Sequence, residues 1–233
     1  MINFKIKVAN KVIEVNTFYE LTKKYCEDFL SDEEPQYVVS LTKEDLEGEK
    51  KTNDITEEIS ALHRKIAHLL IEEDFLVFHG SSFIVGGYGF IVTAHSGVGK
   101  STHVRFLKEY LGDKLTYIND DKPFLEIKDK VTIHSSPWNG KERKSTNTSA
   151  PLKAIIFLKR GETNSFKKLD NNADFYFKLL TQLYLPIEKT KRAKGLKLVD
   201  TLIRSTNFYE ISVTKDIESA KMTYERIIKN EIK

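Results

Sequence analysis

Apolar and polar positions alternate with period two over residues 3–15, pausing at Ala9–Lys11, so this stretch reads as two strands joined by a turn. In "FYELTKKYCEDFL" the spacing becomes helical at Tyr19, Leu21, Tyr25 and Leu30, and "PQYVVSL" returns to strand. A polar loop, "LEGEKKTND", follows. "ITEEISALHRKIAHLLIEEDF" then places Ile59, Leu62, Ile66, Leu69 and Leu70 on one face of a helix, with Asp54 or Thr56 as its cap.

The middle of the chain is strand-rich. In "FLVFHGSSFIVGGYGFIVTAHSGVGKS" the glycines 86, 87 and 89 split two apolar runs only a few residues apart, which predicts a hairpin. Helical periodicity runs from Val104 to Leu111, with Gly112 as C-cap. "LTYINDDKPFLEI" reads as one strand, and a turn at 128–130 leads into "VTIH". "SSPWNGKERKSTNTSAP" is a polar loop bounded by Pro137 and Pro151, with only Trp138 to anchor it; a mobile substrate loop over Ser135–Pro151 is expected. "LKAIIFLKRG" is a buried strand. Helices follow at 172–185 and 189–204, then the strand "NFYEISV" and a capped terminal helix, "DIESAKMTYERIIKN". The pattern predicts a single α/β domain over 1–233 with a mixed, largely antiparallel sheet, residues 1–75 forming an N-terminal accessory region.

Composition narrows the classes. No run of about 18 apolar residues offers a membrane span, and the alternating N-terminus lacks the continuous apolar core of a signal peptide. The lone cysteine, Cys26, has no internal disulfide partner and reads as a small buried hydrophobe. A cytoplasmic protein that binds no membrane is expected. Residues 1–140 hold 17 Lys+Arg against 23 Asp+Glu (−6), and residues 141–233 hold 20 against 11 (+9). The basic half lacks the interleaved aromatics of a nucleic-acid platform, so no nucleic-acid partner is expected and a solvated basic face is the plainer reading. Self-association is left open.

Chemistry concentrates in Ala94-His95-Ser96-Gly97-Val98-Gly99-Lys100-Ser101, a phosphate-loop pattern with Ala for the first Gly. Gly97 and Gly99 permit backbone angles that let successive N–H groups face phosphate oxygens. The helix that follows adds its N-terminal partial positive charge. Nucleotide phosphates are expected on Ser96, Gly97, Val98, Gly99, Lys100, Ser101 and Thr102, with Lys100 at the β and γ phosphates and the Ser101 hydroxyl on Mg²⁺. His95 is expected to face solvent; His63, His68, His103 and His134 read as surface or packing residues. Asp120 and Asp121 end a strand nineteen residues after Ser101, where a nucleotide-bound Mg²⁺ and a hydroxyl nucleophile would each need a carboxylate. Two adjacent carboxylates raise the proton affinity of one of them, which suits a base.

"FHGSSFIVGGYGFIVTAHSGVGKST" followed by "YINDDKPFLEI" resembles the catalytic core of the HPr kinase/phosphorylase family, itself similar to a reduced phosphoenolpyruvate carboxykinase. The match covers Phe78–Ile127, roughly a fifth of the chain. The resemblance implies a fold like the C-terminal domain of HPr kinase and an ATP- and Mg²⁺-dependent kinase acting on a hydroxyl of a peptide, protein or small molecule. It also places His79 near the γ-phosphate, Ser101 and Asp120 on Mg²⁺, and Asp121 as the base, although which aspartate is the base stays open. The family's segment bearing a metal-binding Glu and a catalytic Arg has no counterpart. In its place, "SSPWNGKERKSTNTSAPLKAI" looks like a loop of shorter HPr-kinase-like proteins and offers Lys141 and Arg143 as substrate-loop residues. The N-terminal 75 residues do not resemble the family's sensor domain, so HPr is not the expected substrate. Two other readings remain: a nucleotide-binding regulatory module without turnover, and a metabolite kinase, which would need a parallel sheet around the loop.

Overall fold

The computed structural model describes residues 1–47 and 53–233. Most of the predicted 46–54 loop lies outside them. Strands β1 (Ile2–Val8) and β2 (Lys11–Thr17) form the expected hairpin, and β3 (Tyr37–Ser40) joins β2 in parallel to complete a three-stranded sheet. Between β2 and β3 the predicted helix is only six residues long, α1 (Glu20–Tyr25), before a 3₁₀ turn. After the short α2 (Lys43–Glu47), the amphipathic pattern becomes α3 (Asp54–Leu70). Its cap is Asn53 rather than Asp54 or Thr56: the Asn53 side chain accepts the Thr56 N–H at 2.9 Å. The apolar face of α3 buries Leu62, Ile66 and Leu70 against this sheet, against Phe75 and Phe124 of the next, and against Trp138 of the loop that follows its strand at 131–134.

The larger sheet begins with β4 (Phe75–Phe78), β5 (Ser81–Val85) and β6 (Tyr88–Thr93). A two-residue turn at Gly86–Gly87 sets β5 and β6 antiparallel, pairing Val85 with Tyr88. The loop of residues 94–99 leads from β6 into α4 (Lys100–Leu111). The next apolar run is two strands, not one: β7 (Leu115–Asn119) pairs β5, whereas β8 (Phe124–Ile127) lies between β4 and β9 (Val131–His134). Asn119 makes the break, its side-chain oxygen accepting the N–H groups of Asp121 (2.8 Å) and Lys122 (2.7 Å) in an Asx turn before Pro123.

β10 (Ser149–Arg160) takes in Pro151, where the sequence pattern places the end of a loop, and is the hub of the sheet. It pairs β9 antiparallel with its first residues, then runs parallel to β6 on one side and to β13 on the other. Next come β11 (Ser165–Lys168), a strand the apolar pattern does not announce, α5 (Ala173–Leu180), the two-residue edge strand β12 (Leu183–Tyr184), α6 (Lys189–Ser205) and β13 (Asn207–Val213). The last helical stretch is α7 (Ile217–Thr223), continued through a π turn. The fold is mixed α/β, with antiparallel pairings outnumbering parallel ones. Among the described residues no helix is long and apolar enough to cross a membrane.

α4 and α7 pack through a buried polar contact. His103 is 3% exposed; its Nε2 lies 3.0 Å from the Thr223 hydroxyl, and burial lowers its pKa from 6.5 to about 4. The folded chain therefore holds His103 neutral where the unfolded chain takes up a proton. The resulting stability is complete above pH 6.5 and is lost as pH falls toward 4, by an amount of roughly 3 kcal/mol. Urea midpoints measured from pH 7 to 4 should drop steeply in the wild type and less steeply, by up to one proton, in His103→Gln. Equal slopes would contradict this packing account.

Candidate functional site

The β6–α4 loop has the backbone the glycines allow. Gly97 and Gly99 have φ of 80° and 121°, and His95, Ser96 and Gly97 are exposed. The Arg160 guanidinium holds the loop from behind, with Nε donating to the Val98 carbonyl and Nη2 to the Gly97 carbonyl, both at 2.9 Å. In a trans peptide the N–H opposes the preceding C=O, so the N–H groups of Val98 and Gly99 turn away from Arg160. Arg160 escaped the sequence reading. The parallel pairing of Phe157 with Thr93 carries it to the loop three residues later. Ser101 and Thr102 occupy the first turn of α4, Ser101 exposed.

Lys100 is only 9% exposed, and its ammonium donates to the Ala94 carbonyl at 3.2 Å and to Nε2 of His79 at 3.1 Å. His79 stands in the break between β4 and β5. Its own N–H donates to the Gln182 carbonyl at 2.7 Å, while Gly80 N–H donates to the Asp121 carbonyl at 2.9 Å. These two bonds bring His79 Nε2 to 3.4 Å from the Asp121 carboxylate, whose other oxygen pairs with Lys122. The structure thus gathers Lys100, His79 and Asp121, three residues 42 positions apart at the extremes.

Asp120 faces a different way. It is 4% exposed and accepts the Gly140 N–H at 2.6 Å. A Cβ on residue 140 would sit 2.9 Å from that carboxylate, so the contact depends on glycine. Burial, opposed by the Gly140 bond and reinforced by Asp121, raises the Asp120 pKa. Burial of Lys100 pushes its pKa down, against the pull of Asp121.

The 135–151 segment has more anchors than its composition suggests. Ser135, Ser136 and Trp138 are buried, and Trp138 Nε1 donates to the Ile59 carbonyl at 3.0 Å. Arg143 donates to the Tyr25 carbonyl at 2.8 Å and stacks 4.6 Å over the Tyr25 ring; Asn147 reaches the Asp28 carbonyl. Arg143 therefore grips α1, and Lys141 is exposed. His95 is exposed, whereas His63 and His134 are buried.

Gln182, also missed in the sequence, divides two clefts. One, of about 520 Å³, runs along the Ala94–Val98 loop to Lys159 and Lys178; the other, about 540 Å³, lies between α3 and the residues around His79. The Thr93 hydroxyl sits 2.7 Å from both the His79 carbonyl and the Gln182 side-chain oxygen, knitting the divide together. The donor set suits Mg²⁺ in kind: a hydroxyl and one or two carboxylates suffice when phosphates and waters complete the shell. No group of three or more metal-ligating His, Cys, Asp or Glu occurs among the described residues.

No family model and no curated protein matches the chain. Among solved structures it is similar to the Hpr(Ser) kinase/phosphatase from Coxiella burnetii, with 9% identity, a TM-score of 0.37, and coverage of 66% of this chain and 98% of that one. The likeness is a distant one of fold.

Because an ammonium has only hydrogens to offer, Lys100 makes His79 Nε2 an acceptor, which puts the proton of the neutral ring on Nδ1. Burial, with Lys100 second, lowers the His79 pKa below 6.5. ¹⁵N imidazole spectra at pH 7.5 should show His79 neutral and Nδ1-protonated, titrating below 6.5, with Lys100→Met moving the midpoint upward. An Nε2–H tautomer in the wild type would contradict this reading.

Proposed function

We propose that the protein is an ATP-dependent kinase that transfers the γ-phosphoryl group to a hydroxyl. The observation that supports this most is the cluster of a buried ammonium, an imidazole and a carboxylate at the head of a glycine-bearing loop that opens a helix. Each part has a defined task in phosphoryl transfer, where positioning and charge neutralisation dominate. The loop N–H groups of residues 96–102 and the α4 N-terminus cradle the phosphates. Lys100 leaves Nε2 of His79 for the β and γ phosphates, and His79 then faces the γ-phosphate. Mg²⁺, held by Ser101 and Asp120, would offset the charge on the phosphates.

In the transfer itself the acceptor oxygen bonds to the γ-phosphorus as the bond from phosphorus to the bridging oxygen breaks. ADP leaves with that bonding pair, and the hydroxyl proton passes to the Asp121 carboxylate. The Lys122 ammonium pairs with that carboxylate and holds it in place, 3.4 Å from His79 Nε2. Asp120 is the weaker candidate for the base because its carboxylate is tied to Gly140. A module that only binds nucleotide has no use for a carboxylate beside His79. The mixed setting of β6, antiparallel to β5, favours this reading over a metabolite kinase built on a parallel sheet.

Calorimetry should detect Mg²⁺-dependent ATP binding in the wild type and a much weakened signal in Lys100→Ala. On a confirmed acceptor, Asp121→Asn should leave nucleotide affinity within a few-fold and lower turnover by about 10²–10⁴. Asp120→Asn should shift the Mg²⁺ dependence instead. Near-normal rates in both aspartate variants would refute the assignment.

A further inference from the structure

A third cleft, of about 320 Å³, opens between the glycine-bearing loop and the end of β13. The sheet explains its place. β10 runs parallel to both β6 and β13, so the loop after β6, Arg160 at the end of β10 and Val213 at the end of β13 reach one edge side by side. A crevice outside the carboxyl ends of parallel strands is where open α/β sheets take up ligands. The loop side of the cleft supplies Gly97, Val98, Gly99 and Thr102, residues already expected to meet phosphates. From there it follows α4 to Phe106, four residues or roughly 6 Å of helix rise beyond Thr102. Neither Lys100 nor His79 lines it, so it extends the phosphate site on the side away from the γ-phosphate.

The walls are apolar, and most of the polar side chains among them are already engaged. Phe106, Leu158 and Val213 face the cleft; Leu158 and Val213 are buried, whereas Phe106 is only half-buried. His103 is held by Thr223 and Arg160 by the loop carbonyls, while the Thr214 hydroxyl donates to the Asn164 side-chain oxygen at 3.0 Å. Lys215 is exposed, and its ammonium can only donate. No carboxylate lines the cleft among the described residues. An aromatic side chain among aliphatic ones, beside a phosphate loop, suits the flat apolar face of a nucleobase. The volume has a cube root of roughly 7 Å and lies at the lower end of the small-ligand range, enough for fused rings and little more.

We propose that this cleft receives the base of the phosphate donor, a purine, and recognises it by shape and stacking rather than by its hydrogen-bonding edge. Phe106 stacks on the rings, Leu158 and Val213 line the remaining wall, and the ribose passes Thr102. The amino or oxo group that separates adenine from guanine meets no side chain reserved for it, and Lys215 finds the same N7 acceptor on both purines. The donor is then a purine nucleotide rather than a bare phosphate chain, and GTP serves alongside ATP. The inference rests on the loop's binding nucleotide phosphates, as in the kinase reading above, but not on transfer of the γ-phosphoryl group.

Isothermal calorimetry of the full-length protein in Mg²⁺ with ADP, GDP, UDP and pyrophosphate tests this. ADP and GDP should bind within about ten-fold of each other and at least about ten-fold tighter than pyrophosphate, which offers the loop a diphosphate without a base. UDP, with a single ring, should fall between. Phe106→Ala should weaken both purine nucleotides about five-fold or more and leave pyrophosphate within about two-fold, and Phe106→Trp should restore the purines. If Phe106→Ala fails to fold, photolabelling of the wild type with 8-azido-ADP decides instead. Crosslinks on residues 102–106 or 213–215 are expected, and crosslinks confined to other segments would overturn the placement.

Pyrophosphate binding as tightly as ADP, or purine affinity untouched by Phe106→Ala, would overturn the proposal and leave the phosphate loop standing. A preference of more than about ten-fold for one purine would overturn recognition by shape alone. Silence from all four ligands would remove the base site and the kinase reading together. Purine binding that depends on Phe106, beside normal turnover in both aspartate variants, would refute the kinase assignment and keep the base site.

Discussion

A buried positive charge organises this molecule. The Lys100 ammonium is nearly out of contact with water, and its hydrogen-bond partners among the described residues, a backbone carbonyl and an imidazole, are both neutral. Burying a cation without a direct counter-ion is costly, and the cost is met here through dipoles and the longer-range pull of Asp121. An arrangement of this kind is poised for an anion. Phosphate oxygens reaching the loop would replace the carbonyl and the ring nitrogen with full negative charge, making the ligand-bound state the one in which Lys100 is best satisfied.

The sheet makes that arrangement possible by joining two kinds of strand neighbour at β6. Its antiparallel partner β5 begins just after His79, so the chain reverses beside the loop and delivers the imidazole to Lys100. Its parallel partner β10 ends at Arg160, which ties down the loop carbonyls from the other side. The Asx turn of Asn119 then ends β7 and sends β8 to a different part of the sheet, which separates the two carboxylates by task. Asp121 turns to His79, and Asp120 turns to Gly140. Gln182 closes the frame from the far end of the chain by accepting the His79 N–H.

What the sequence made legible was local. The glycine-bearing loop, the Gly86–Gly87 hairpin and the apolar face of α3 are written in consecutive residues, and each forms where the pattern places it. The aspartate pair was visible as a pair. Its division of labour was not, because that depends on Asn119 turning the chain and on a glycine twenty residues away. Arg160 and Gln182 look like ordinary surface residues in the sequence. Only the register of β6 on β10 and the pairing of β12 with β4 bring them to the loop and to His79. The loop after β9 reads as unanchored because its partners, Ile59, Tyr25 and Asp28, lie some 80 to 120 residues earlier.

The Lys100 charge is open to direct measurement. With the lysines reductively ¹³C-methylated, the Lys100 resonance can be assigned by its loss in Lys100→Arg and titrated with and without Mg·ADP. Burial predicts a midpoint below the ordinary lysine value of 10.5 in the free protein, moving upward when phosphates arrive. An ordinary midpoint in the free protein, unmoved by nucleotide, would contradict the account.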